Sequence, residues 1–142
     1  MLFTSAAKKV SLDGPPRAAL QRRVKLHTNE PGFSNGTWKQ KIIFDFSNNV
    51  GNIDAATNPT GQLTYYKGVL YGYAGNGASE GGTIYTLTQS GTTWTQSTIY
   101  SFGGYPDGWN PAARPFFGKD GTMYGLTFYG GLNDAGVFFS RP

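Results

Sequence analysis

Cysteine is absent, and histidine occurs once in 142 residues. Without thiols there is no disulfide, no thiolate zinc site and no cysteine nucleophile. A lone imidazole also leaves most histidine-based metal sites and triads without ligands or partners. Only 14% of the residues are charged. No run of about 18 apolar residues occurs, so no membrane-spanning helix is expected. Glycine, proline and aromatic side chains are abundant: 21 Gly, 8 Pro, 3 Trp, 9 Tyr and 10 Phe. Gly and Pro are the poorest interior helix residues, which argues against a helical bundle. So many aromatics argue equally against a disordered chain. The composition predicts one all-β domain rich in turns.

The net charge of +4 is unevenly spread. Residues 1–41 hold 8 of the 12 Lys and Arg but only 2 of the 8 acids. A basic head can be an arm for an anionic partner such as nucleic acid. Here Leu12, Pro15, Pro16, Ala18 and Leu20 interrupt the charges, and no aromatic stacking platform accompanies them. Nucleic acid is therefore not the expected partner, and residues 1–22 are expected to form a poorly ordered head. The segment VSLDGPPRAAL (10–20) also lacks the apolar stretch of a signal peptide.

Internal similarity is the strongest feature of the chain. WKQKIIFDF (38–46) aligns with WTQSTIYSF (94–102). Trp38, Gln40, Ile43, Phe44 and Phe46 match Trp94, Gln96, Ile99, Tyr100 and Phe102. Asn58-Pro59 matches Asn110-Pro111, VLYG (69–72) matches TMYG (122–125), and GGTIYT (81–86) matches AGVFFS (135–140). The indels fall in Gly/Asn-rich turns. RVKL (23–26) parallels IYTL (84–87) as the trace of an earlier copy. The chain thus divides into a partial unit 23–37, a unit 38–93 and a unit 94–142. Both ends cut a unit, so a fragment of a longer array is the expectation.

Each unit reads as four short strands, near 62–67, 69–74, 82–88 and 94–102 in the complete copy. Lys67-Gly68, Ser90-Gly91 and Asp120-Gly121 are pairs that favour hairpin turns, because Gly accepts positive φ. In 98–102 strict alternation puts Thr98, Tyr100 and Phe102 on one face and Ile99 and Ser101 on the other. A four-stranded unit of about 53 residues has the size of a β-propeller blade. The expected fold is propeller-like, with four-stranded antiparallel blades, about two to two-and-a-half repeats and an incomplete ring. Tyr71, Tyr73, Tyr124 and Phe128 would lie uncovered on its faces, which favours self-association.

The order of motifs in 99–139 resembles the GloVer-type tandem repeats of bacterial surface proteins. Asp107-Gly108, Asn110-Pro111, Asp120-Gly121, Tyr124-Gly125, Thr127 and Gly130-Gly131 stand in the matching places. The first copy lacks the Asp-Gly pair, and Val137 stands where that pattern has Thr. The resemblance covers about residues 23–142 and is strongest over 94–139. It implies an exported, extracellular array of propeller-like repeats. It implies no reaction and no catalytic residue; no cofactor and no metal are expected either, since cysteine is absent and histidine occurs once.

The remaining chemistry is sparse. Paired carboxylates would mark a glycosidase, but Asp107 and Asp120 each precede Gly and read as turn residues. Glu80 and Asp134 occupy equivalent loops and could line a propeller mouth, or simply solvate a loop. GASEG (77–81) fits G-x-S-x-G around Ser79, but no helix pattern follows it as a nucleophile elbow requires. His27 reads as an exposed loop residue. The best binding candidate is the loop 103–111, GGYPDGWNP, with Tyr105, Asp107, Trp109 and Asn110. Aromatic faces beside an acid and an amide suit sugar rings; alternatively Trp109 packs between units and Asn110 caps a turn. The sequence reading is a non-enzymatic repeat segment that binds a glycan or protein partner. The alternative is a carbohydrate-binding or carbohydrate-active module using that loop.

Overall fold

A computed structural model describes residues 9–13, 23–27, 40–49, 55–76 and 80–142. Its strands are β1 (Lys9–Asp13), β2 (Arg23–His27), β3 (Gln40–Asp45), β4 (Thr57–Tyr66), β5 (Val69–Asn76) and β6 (Thr83–Ser90). They continue as β7 (Thr93–Ser101), β8 (Trp109–Phe117), β9 (Met123–Tyr129) and β10 (Phe138–Arg141). They form three antiparallel sheets in the orders β1-β2-β3, β4-β5-β6-β7 and β10-β9-β8. The chain is all-β, and the described sheets do not close into a ring. Of the expected head, Lys9–Asp13 forms strand β1, paired with β2; the alternation of polar and apolar residues in KVSLD suits such a strand. His27 is not in a loop but ends β2, opposite Lys9 and Gln40.

Turn chemistry sets the hairpins. Lys67 and Gly68 both have positive φ, 46° and 87°, and join Tyr66 to Val69 across a two-residue turn. The right-handed twist of paired strands favours that geometry. The next hairpin sits one residue later than expected. Ser90 pairs with Thr93, so the turn is Gly91-Thr92, with φ 58° at Gly91.

Bulges break the expected alternation. Ile84 faces Tyr100 while Tyr85 faces Thr98, so Ile99 is skipped. Ile99 and Tyr100 consequently both pack against the same core. The first sheet does the same: Val24 faces Phe44 while Lys25 faces Ile42. This pairing matches Val24 to Ile84, one residue off the expected alignment. A second kind of bulge falls between Thr60 and Thr64 in β4 and between Ala112 and Phe116 in β8. Each is preceded by an Asn with left-handed φ, 59° at Asn58 and 58° at Asn110.

The middle sheet is buried on both faces. Leu70, Ala74, Tyr85 and Leu87 pack with Phe46 and Ala56 against the first sheet. Tyr73 and Ile84 pack with Phe102 and Met123 against the third. Tyr73 is therefore fully buried, not uncovered as the sequence suggested, because the third sheet lies over it. One aromatic arrangement occurs at both interfaces. Phe46 meets Phe44 edge-on at 4.9 Å and Tyr85 at 5.0 Å. Phe102 meets Tyr100 edge-on at 5.0 Å and Phe139 at 5.3 Å. Gly72 and Gly125 lie opposite Tyr85 and Phe139, where a Cβ would collide with the facing ring.

Candidate functional site

The loop after β7 is held by its own polar groups. Asp107 Oδ1 accepts the Tyr100 hydroxyl at 2.6 Å, and Asp107 Oδ2 accepts the Gly103 N–H at 2.9 Å. Gly104 and Gly108 exchange backbone hydrogen bonds across the loop. The Tyr105-Pro106 peptide is cis, and the Pro106 carbonyl accepts the Gly131 N–H at 3.0 Å. The loop thus leans on the turn between β9 and β10.

Trp109 ties this loop to the turn before β6. Its indole N–H donates to the Glu80 carbonyl at 2.9 Å. Beside it the Asn110 N–H donates to the Gly81 carbonyl at 2.8 Å. The indole still has 48% of its surface exposed, and Tyr105 has 68%. The four predicted residues therefore sit on one loop and the strand start that follows it, with Tyr105 and Trp109 exposed and the Trp109 ring 6.1 Å from that of Tyr129. Their polar groups are partly committed: Asp107 and the Trp109 N–H serve the fold, and Asn110 supplies the left-handed backbone before the β8 bulge.

The other predicted acids also build turns. Asp120 accepts the Thr122 N–H at 3.1 Å and its hydroxyl at 2.8 Å. Those two bonds favour the ionised form and hold its carboxyl below the ordinary carboxylate value. Asp134, itself at φ 52°, accepts the Gly130 N–H at 2.7 Å. Glu80 is exposed, and its backbone rather than its carboxylate makes the contact to Trp109. Ser79 lies outside the described residues.

Two residues not anticipated from the sequence complete the site, Tyr100 and Arg141. The Arg141 guanidinium lies over the Tyr100 ring, 5.1 Å from its centre. The Tyr100 phenol is raised above the ordinary value, first by its bond to Asp107, then by burial, and Arg141 opposes the shift. Both border a cavity of about 200 Å³ between the second and third sheets, with Phe102, Asp107, Phe139 and Ser140. A signal existed in the aligned units: Phe44 and Leu87 stand where the later copy has Tyr100 and Arg141.

Among the described residues no group of three or more His, Asp or Glu could hold a metal ion. No described helix is long and apolar enough to cross a membrane. No family model, curated protein or solved structure matches the chain.

Proposed function

We propose that this chain is a non-enzymatic, propeller-like repeat segment of an extracellular bacterial surface protein, whose loops bind a partner. In this reading each sheet is all or part of a blade of a GloVer-type tandem repeat. The observation that carries it is the aromatic contact made twice, Phe44–Phe46–Tyr85 and Tyr100–Phe102–Phe139. Residues matched by sequence make matched contacts, as stacked units of one repeat do. The surface location rests on the resemblance in motif order alone.

The non-enzymatic part draws on the acids. Asp107, Asp120 and Asp134 each accept a backbone N–H of their own loop. A general acid or base needs a carboxyl free to face substrate, and these three are occupied in shaping turns. Carbohydrate binding on the 103–111 rim is the second reading, favoured by the exposed rings of Tyr105 and Trp109.

The test is a panel of aryl glycosides and esters, run beside a glycan array. The proposal predicts no turnover above buffer. Turnover that disappears in Ser79→Ala, Asp107→Asn or Asp134→Asn would contradict it. Array binding lost in Trp109→Ala would establish the second reading.

A further inference from the structure

The second and third sheets begin their first strand pair at the same register but with different residues. In the second sheet Thr57 faces Asn76, two positions before Pro59 faces Ala74. In the third Trp109 faces Tyr129, two positions before Pro111 faces Thr127. The repeat alignment matches Thr57 to Trp109 and Asn76 to Tyr129. One copy therefore builds this end of a sheet without an aromatic ring, and the other places two there. Pairing of the strands does not require the rings.

Facing residues of antiparallel strands share a face of the sheet. The rings of Trp109 and Tyr129 have centres 6.1 Å apart and planes inclined at 56°. They remain 48% and 49% exposed, with the neighbouring turn of the second sheet already in place. From that turn the Glu80 carbonyl accepts the indole N–H at 2.9 Å. The bond takes the one polar atom of Trp109 and fixes the ring by its edge. What the ring offers a ligand is its faces. Beside it stand Glu80 and Asn110, both exposed, with a carboxylate and an amide.

Ring faces flanked by hydrogen-bonding groups suit a sugar, which stacks its C–H face on a ring and turns its hydroxyls to polar groups. Two rings take two neighbouring sugar units of a chain, and their inclination selects the shape of that chain. A flat ribbon such as a β-1,4-linked glucan needs coplanar rings. A chain that turns at each linkage, as an α-1,4-linked glucan does, presents successive sugar faces at an angle. We infer that Trp109 and Tyr129 form a bent platform for a turning glucan chain of the α-1,4-linked class. The inference rests on the carbohydrate reading above and narrows it: Asp107 serves the loop, and Tyr129 joins Trp109 as the second ring.

The test titrates maltohexaose, cellohexaose and glucose into the intact protein by calorimetry, beside the glycan array. Maltohexaose should bind saturably, and cellohexaose and glucose about tenfold more weakly or worse. Trp109→Thr and Tyr129→Asn follow the matching copy, and each should weaken maltohexaose binding about tenfold, as loss of a stacked ring does. Trp109→Phe and Tyr129→Phe keep a ring and should bind within about threefold of the parent. Tyr65→Thr, which removes an exposed ring at the far end of β4, should leave the affinity unchanged. Cellohexaose bound as tightly as maltohexaose would overturn the inference, and so would unchanged maltohexaose affinity in Tyr129→Asn. Trp109-dependent binding of other glycans alone would overturn it and leave the carbohydrate reading standing. No glycan bound in either experiment would overturn both.

Discussion

Tyr100 donates its hydroxyl to Asp107 at 2.6 Å, and through that bond the end of β7 is fastened to the loop that leads into β8. The second oxygen of the same carboxylate takes the Gly103 N–H, so one side chain both closes the loop and anchors it. Arg141 reaches the same phenyl ring from the third sheet. Asp107 was read from the sequence as a turn residue or a sugar ligand. In the fold it ties the end of β7 to the loop that follows it.

Asp107→Ala removes the acceptor of two donors and should cost about 1–2 kcal/mol, the range for hydrogen bonds lost at partly buried sites. Tyr100→Phe removes one donor and should cost less. Urea denaturation of both single variants and the double variant checks the link. The two losses should be non-additive, because the variants share one interaction.

Tyr73 and Tyr85 bury their hydroxyls without a hydrogen-bond partner. Burial pushes both phenols well above their ordinary value of 10.0. A folded-state pKa above the unfolded one means that the folded protein holds its proton longer. Stability from these groups is complete below pH 10 and falls as pH rises above it. Tyr73→Phe and Tyr85→Phe should stabilise by about 1 kcal/mol at pH 7, since each removes an unsatisfied buried group. Both should also flatten the alkaline loss of melting temperature. A lower stability at pH 7 for either variant would reveal a partner for its hydroxyl.

Left-handed backbone, rather than ligand chemistry, explains several residues at the β4 and β8 bulges. Ala113 has φ 62°, and the matching residue is Gly61, at φ 70°. A side chain in this region costs roughly 1–2 kcal/mol. Ala113→Gly should therefore stabilise by about 1 kcal/mol. Gly61→Ala should destabilise by more, because its Cβ would meet the Ala113 carbonyl oxygen. Asn110→Gly should leave stability within a few tenths of a kcal/mol, while Asn110→Val should lose about 2 kcal/mol. Thermal melts order these four variants.

The parts of the fold that local chemistry controls were legible. Lys67-Gly68 announces its hairpin because Gly68 accepts positive φ. The strand runs after it follow from aromatic and β-branched content. The bulges at Ile43 and Ile99 were hidden, because the skipped residue is fixed by the partner strand's register, and strict period-two reading carries straight through Ile42-Ile43-Phe44 and Ile99-Tyr100. The strand at Lys9–Asp13 and the extension of the next strand to His27 were not legible, because each is short and borders turn-forming residues, Gly14-Pro15-Pro16 and Thr28-Asn29. The rim of the candidate site was visible in GGYPDGWNP. Its bond from Trp109 to Glu80 was not, since it joins residues 29 apart through the stacking of two sheets.

The account depends most on the aromatic contact that joins each sheet to the next. Removing either ring, by Phe46→Ala or Phe102→Ala, should cost about 3–5 kcal/mol. The more direct measurement is a nuclear Overhauser spectrum of protein labelled at Phe and Tyr rings. Ring-to-ring cross-peaks are expected for Phe46–Tyr85 and for Phe102–Phe139 in the same sample, with the edge-on rings shifted upfield. Cross-peaks for one pair without the other would contradict the account, because the two interfaces would then not be built alike.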